Sequence, residues 1–204
     1  MYTNFYLFLG SVIVISLSGV IMPGPVFAVS IAKGHSNGTA GSLIAVGHGL
    51  LELPLMVLII LGFKRYFSGH LALNLISVAG GAVLIYMGVK MFQAKGKENI
   101  DEIDLPYGSV TAGFAATGSN PYFYLWWGTV GATLITNAAL FGFVGLVAFA
   151  VVHWLCDFLW YSFVSLATFK SHSYWTNKTH SMVFGLCGLS LIFLGVWFMA
   201  SVIY

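Results

Sequence analysis

The chain of 204 residues is 59% hydrophobic and 7% charged, with a formal net charge of +2 at pH 7, whereas an ordinary soluble domain carries about a quarter charged residues. So few charges cannot cover a water-facing surface, which excludes a soluble globular protein. The scattered Lys and Arg also exclude the clustered basic face that nucleic-acid binding requires.

A helix crossing the hydrocarbon needs about 20 apolar residues. Polar clusters divide the chain into apolar blocks near residues 5–32, 39–63, 70–91, 108–135, 140–168 and 180–203. Barrel strands would alternate in polarity over about ten residues, so these long continuous runs predict an all-α membrane protein of six transmembrane helices. The blocks leave no room for a domain outside the bilayer, and residues 1–204 read as a single transmembrane domain.

The first block, from Phe5, lacks a basic leader and runs through Met22 into Pro23-Gly24-Pro25, so it is expected to be a retained span and not a signal peptide. Proline removes a donor and clashes with the preceding turn, which breaks the span there. Gly24 suits the cap, and Pro25 the first position, of a second half-helix. Backbone groups freed in hydrocarbon cost several kcal/mol each unless protein or water satisfies them, so the break is expected to face a protected cavity.

The second block places His48 four residues before Glu52, on one helix face. The third offers Asn74 and Ser77 as polar lining and Gly80-Gly81 as a point of close helix approach. After the loop 92–107, the fourth block is interrupted at Gly118-Ser119-Asn120-Pro121, with Asn120 as the cap, and Trp126-Trp127 follow. The fifth carries His153 four residues before Asp157, and the sixth has Gly185 and Gly188. Cys156 and Cys187 form no Cys-x-x-Cys motif and read as small core hydrophobes.

The proline breaks of blocks one and four, and the His-x-x-x-acid pairs of blocks two and five, repeat in register. Three spans per half is an odd number, so the second half enters the membrane from the opposite side. Residues 1–91 and 108–204 therefore read as two inverted three-helix repeats, with helices 1 and 4 broken by Pro, the architecture of secondary transporters. Lys33, Lys90, Lys95, Lys97, Lys170 and Lys178 fall on one side, and Lys64 and Arg65 on the other. The positive-inside rule makes the first side, with the loop 92–107, cytoplasmic, and both termini extracytoplasmic, in a multi-pass protein of the cell membrane.

Pro23-Gly24-Pro25, the segment Gly47-His48-Gly49-Leu50-Leu51-Glu52, Asn120-Pro121 and Asp157-Phe158-Leu159-Trp160 together resemble the lysine-exporter (LysE/RhtB) type translocators, over essentially the whole chain. The resemblance implies secondary export of amino acids or similar small solutes, driven by the proton-motive force, through a site between the repeats. Three positions depart from the pattern. Glu52 stands where aspartate is usual, His48 takes a commonly apolar position, and Tyr122 replaces a small or basic residue after Asn-Pro.

A zwitterion needs donors for its carboxylate and acceptors for its ammonium. The N–H groups after Gly24 and Asn120, in the segments Pro23-Gly24-Pro25 and Asn120-Pro121, are candidates for the anionic end. Trp126 could stack on a cation. Glu52 and Asp157, with His48 and His153, are candidates for the ammonium or the coupling proton, because imidazole exchanges protons near neutrality. The alternative is a divalent metal-ion transporter using the same His/carboxylate pairs. Neither His-Glu-x-x-His nor Gly-x-Ser-x-Gly occurs, so an enzyme is not expected, and nothing calls for a cofactor. The expected partners are a small-molecule substrate, a coupling proton or cation and the lipid bilayer, and a homo-oligomer is compatible with the apolar exterior.

Overall fold

The computed structural model describes residues 4–63, 70–93 and 108–202. Lys64, Arg65, Tyr66, Lys95, Lys97, Tyr107, Tyr204 and nearly all of the loop 92–107 lie outside the described residues. Every regular element among the described residues is helical. Large side chains such as Leu71, Phe143 and Val144 are exposed, while Glu52, Thr117, His153 and Asp157 are buried. This inversion of the soluble pattern is what a lipid solvent imposes, because apolar side chains need no shelter from hydrocarbon and ionisable ones do.

Helix α1 (Phe5–Val20) begins where the Asn4 side chain accepts hydrogen bonds from the Tyr6 and Leu7 amides. It ends ahead of Pro23, and α2 (Pro25–Ser36) departs at 73° to it. α3 (Ala40–Ile60) and α4 (His70–Gln93) follow. The fourth block forms α5 (Ser109–Gly118), α6 (Pro121–Trp126), a π-helical turn (Trp127–Gly131) and α7 (Ala132–Ala139). α8 (Gly142–Ser171) starts at Gly142, whose φ of 67° is a left-handed conformation favouring glycine. A short 3-10 turn (His172–Tyr174) leads to α9 (Asn177–Ala200), whose cap Thr176 accepts from the Thr179 amide.

Among the described residues, α3, α4, α8 and α9 are long and apolar enough to cross a membrane, and the bent α1–α2 pair, a broken span or a re-entrant loop, brings the number to five if it is counted as one span. The protein is thus a multi-pass membrane protein. The expected span at 108–135 is not one helix. It is divided among α5, α6, the π turn and α7, none of which is long enough alone. Asn120-Pro121 accounts for the first interruption. The π turn coincides with Gly128 and Gly131, and the Trp127 ring lies where a Gly131 side chain would stand, 2.3 Å from an ideal Cβ.

Small residues set the helix contacts, as expected where packing and not the hydrophobic effect drives association. Gly41, Ala45 and Gly49 recur every four residues along α3 and face α8. There Ser165 Oγ accepts from the Gly41 amide at 2.9 Å, and Trp154 Nε1 donates to the Ala45 carbonyl at 3.2 Å. On its other flank α3 meets α5, where Gly113 stands against the Ile44 carbonyl and Gly47 against that of Val110. α4 and α9 pair through Gly88 with Gly188 and Gly81 with Gly195.

Candidate functional site

Two i,i+4 pairs meet where α3 and α8 are held together. His48 Nε2 lies 3.0 Å from Glu52 Oε1, and His153 Nε2 lies 3.1 Å from the same oxygen. Asp157 Oδ2 stands back, 3.8 Å from His48 Nε2 and 3.7 Å from His153 Nε2. All four residues are nine-tenths or more buried. Two buried carboxylates side by side repel, and among the described residues the imidazoles are what offsets this, since Glu52 Oε2 and Asp157 Oδ2 have no hydrogen-bond donor.

The outer nitrogens of the two imidazoles are held by hydroxyls from the interrupted segments. Thr117 of α5 donates to the Gly113 carbonyl at 2.8 Å, so its oxygen accepts from His48 Nδ1, also at 2.8 Å. Ser16 of α1 lies 2.7 Å from His153 Nδ1. With Nδ1 of His48 committed as a donor, the short His48–Glu52 contact holds one further hydrogen, on Nε2 or on the carboxyl. The His153 ring is stacked with Trp126, at 5.2 Å between ring centres, and with Phe149, at 5.8 Å. Trp127 meets the same imidazole edge-on at 5.1 Å. Consecutive residues of an α-helix diverge by about 100°, and the π turn beginning at Trp127 is where both indoles reach one ring.

The cluster forms one wall of a cavity of about 100 Å³, several times the about 10–15 Å³ that one water requires by the same measure. Of the residues singled out in the sequence, His48, Glu52, Asn120, Tyr122, Trp126, Trp127, His153 and Asp157 line it, and Val26 brings the start of α2 to its edge. Pro23 and Gly24 do not. They border a separate apolar groove against Leu191 and Leu194 of α9. Pro25 and Pro121 are buried helix starts outside the cavity lining. Asn74 and Ser77 are likewise absent from it.

The two half-helix starts also differ. Asn120 Oδ1 accepts from the Tyr122 amide and the Asn120 carbonyl from that of Phe123, both at 3.1 Å. The expectation of free N–H groups after Asn120 is therefore corrected: the asparagine that caps α6 consumes them. Gly24 has no side chain to do the same for α2, where the first capped amide is that of Ala28, to the Gly24 carbonyl.

The family model for LysE type translocators matches residues 17–202. The chain belongs to this family. That makes it a membrane transporter, and a non-enzyme at the level of the family. No curated protein and no solved structure matches it.

Sequence reading alone did not single out Ser16, Thr117 or Tyr161 of this translocator, all of which line the cavity. The available signal was a hydroxyl in an otherwise apolar run, which is weak because Ser and Thr in spans usually bond their own helix, as Ser30 does to the Val26 carbonyl. Thr117→Val should leave His48 Nδ1–H without an acceptor, destabilising the protein by about 1–3 kcal/mol. Thr117→Ser should restore it. Thermal unfolding of the two purified variants beside the parent checks this, and equal midpoints for valine and serine would contradict it.

Proposed function

We propose that this LysE type translocator is a secondary exporter of amino acids or similar small zwitterionic solutes, driven by the proton-motive force. The observation that carries the reading is the pair of buried carboxylate oxygens, Glu52 Oε2 and Asp157 Oδ2, left without donors in residues that line the cavity. An ammonium offers N–H groups to both oxygens in a site where water is scarce. The start of α2, uncapped by any side chain and with Val26 on the cavity edge, supplies amides for the carboxylate end. Trp126, already parallel to the His153 ring, shields the charged centre. His48 and His153, in contact with Glu52, exchange the coupling proton.

The proposed architecture is a pair of inverted repeats, residues 1–91 and 108–204, meeting around this cavity. Its support is the recurrence of a helix break at Gly24-Pro25 and Asn120-Pro121, together with the reciprocal pairing of Ser16 with His153 and Thr117 with His48. Lys33, Lys170 and Lys178 flank the end at which the turns following α2 and α8 come together, and the positive-inside rule assigns that end to the cytoplasm.

Labelled amino acids supplied to inverted vesicles test the reading. Uptake should follow expression of the chain and collapse when a protonophore dissipates the gradient. Uptake indifferent to the gradient would overturn the coupling, and no uptake of any amino acid would overturn the cargo. A divalent metal ion as cargo is the second reading, because His48, Glu52 and Asp157 each offer a ligand atom within 4.8 Å of the others. Vesicles accumulating radioactive zinc but no amino acid would select it.

A further inference from the structure

The cavity also limits what can be carried. Its volume is about 100 Å³, whereas an engineered protein cavity of about 150 Å³ is what a single benzene molecule occupies. Space of that order suits glycine or alanine, with serine at the limit. Leucine, phenylalanine and lysine are larger than the space.

The walls that set this volume are rings braced against the charged cluster. Phe123 meets His48 edge-on at 5.5 Å between ring centres, Tyr161 meets it at 6.0 Å, and Trp127 meets His153 at 5.1 Å. Each of these three side chains is less than a tenth exposed, and Trp127 also fills the space that a side chain at Gly131 would need. Close-packed walls yield little to an oversized guest, because overpacking drives side chains off their rotamers and shifts backbone. Trp126 differs from them. It is half-buried and stands beside Gly19, where an ideal Cβ would keep 3.6 Å from the indole Nε1. It therefore bounds the cavity from α6 without being locked into the core.

Charge narrows the choice further. Glu52 and Asp157 approach the same two imidazole nitrogens, and ligand atoms of His48, Glu52 and Asp157 lie within 4.8 Å of one another. Two acids so close address one point and not two separate ones. No further carboxylate lines the cavity among the described residues. The distal cation of a lysine or arginine cargo would thus be buried without a counter-charge, which is strongly unfavourable.

We propose that the cargo is a small amino acid with a single ammonium and an uncharged side chain no larger than that of serine, and that Trp126 sets the upper limit of size. The proposal rests on the exporter reading above and adds a ceiling to it. With the ammonium against Glu52 Oε2 and Asp157 Oδ2 and the carboxylate toward the start of α2, the cargo side chain is left the aromatic wall.

Uptake of labelled glycine, alanine, leucine and lysine, each measured alone in inverted vesicles, tests the ceiling. The parent should take up glycine and alanine at least about 100-fold faster than leucine or lysine, a discrimination that a steric wall and an unpaired charge can supply. Trp126→Ala should raise the ratio of leucine to alanine uptake by at least about tenfold, and Trp126→Phe should raise it less. Because the ratio is read within each variant, a loss of folded protein cancels. Lysine should stay excluded from Trp126→Ala, since added space supplies no counter-charge. Leucine or lysine entering the parent as fast as alanine would overturn the ceiling and leave the exporter standing. A parental ratio in both Trp126 variants would overturn the role given to Trp126. Uptake of no amino acid at all would overturn the exporter, and the ceiling with it.

Discussion

Glu52→Gln should lower transport by about 100-fold or more. Glu52 Oε1 faces both His48 Nε2 and His153 Nε2 at hydrogen-bond distance, and removing the charge from one partner of a buried ionic cluster costs about 3–5 kcal/mol. Each 1.4 kcal/mol lost from the transport step is about tenfold in rate. Glutamine keeps the shape and one acceptor but neither carries the negative charge nor takes a proton. Asp157→Asn should cost less, about tenfold, because Asp157 Oδ2 lies 3.7–3.8 Å from the same nitrogens and makes no hydrogen bond to them. Initial rates in proteoliposomes across a pH series, at equal reconstituted protein, measure both. If Glu52→Gln kept its rate within about threefold of the parent, together with the parental pH profile, the proposed role of the cluster would be wrong.

Gly41→Ala should destabilise the protein by about 3 kcal/mol or more, at or above the upper end of what overpacking costs. An ideal Cβ at Gly41 would lie 1.8 Å from the Tyr161 carbonyl oxygen and 2.5 Å from Ser165 Oγ. The first obstacle is backbone inside α8, so no side-chain rotation relieves it and the helices must part. Parting them breaks the bond from the Gly41 amide to Ser165 and draws His48 and Glu52 away from His153, so transport should fall with stability. Gly10→Ala is the control: a Cβ there meets nothing within 4 Å, and alanine in a helix interior is favoured over glycine by about 0.5–1 kcal/mol. The unfolding midpoints of the two variants in detergent should move in opposite directions.

The sequence was informative where rare residues stood in an apolar background. His48, Glu52, His153 and Asp157 could be picked out because ionisable groups in apolar runs have few structural excuses, and the structure brings all four to one cavity. The helix breaks were visible because proline acts locally. What resists reading is partnership between distant segments. Ser16 and Thr117 look like any span hydroxyl until α8 and α3 are placed beside them. Capping by Asn120 was legible, yet its consequence, that the same side chain occupies the amide offered to a substrate, needs the geometry. Pro23 and Gly24 carry the break but turn toward α9, since a 73° bend sends the two sides of the break in different directions. His35, His172 and His180 are isolated in sequence near three separate span ends and become a group only on folding.

The crossed grip of hydroxyls on imidazoles ties motion to acid–base state. His153 of α8 is held by Ser16 of α1, and His48 of α3 by Thr117 of α5, so each ring borrows its outer hydrogen-bond partner from a segment that ends at a helix break. A rearrangement that swings either broken segment away strips one nitrogen of its companion, and the ring must then rotate, recruit water or change where its hydrogen resides. In the exporter proposed above, such a swing would shift the hydrogens around Glu52, so that exchange of a proton and exposure of the chamber to one face of the bilayer become a single thermodynamic event.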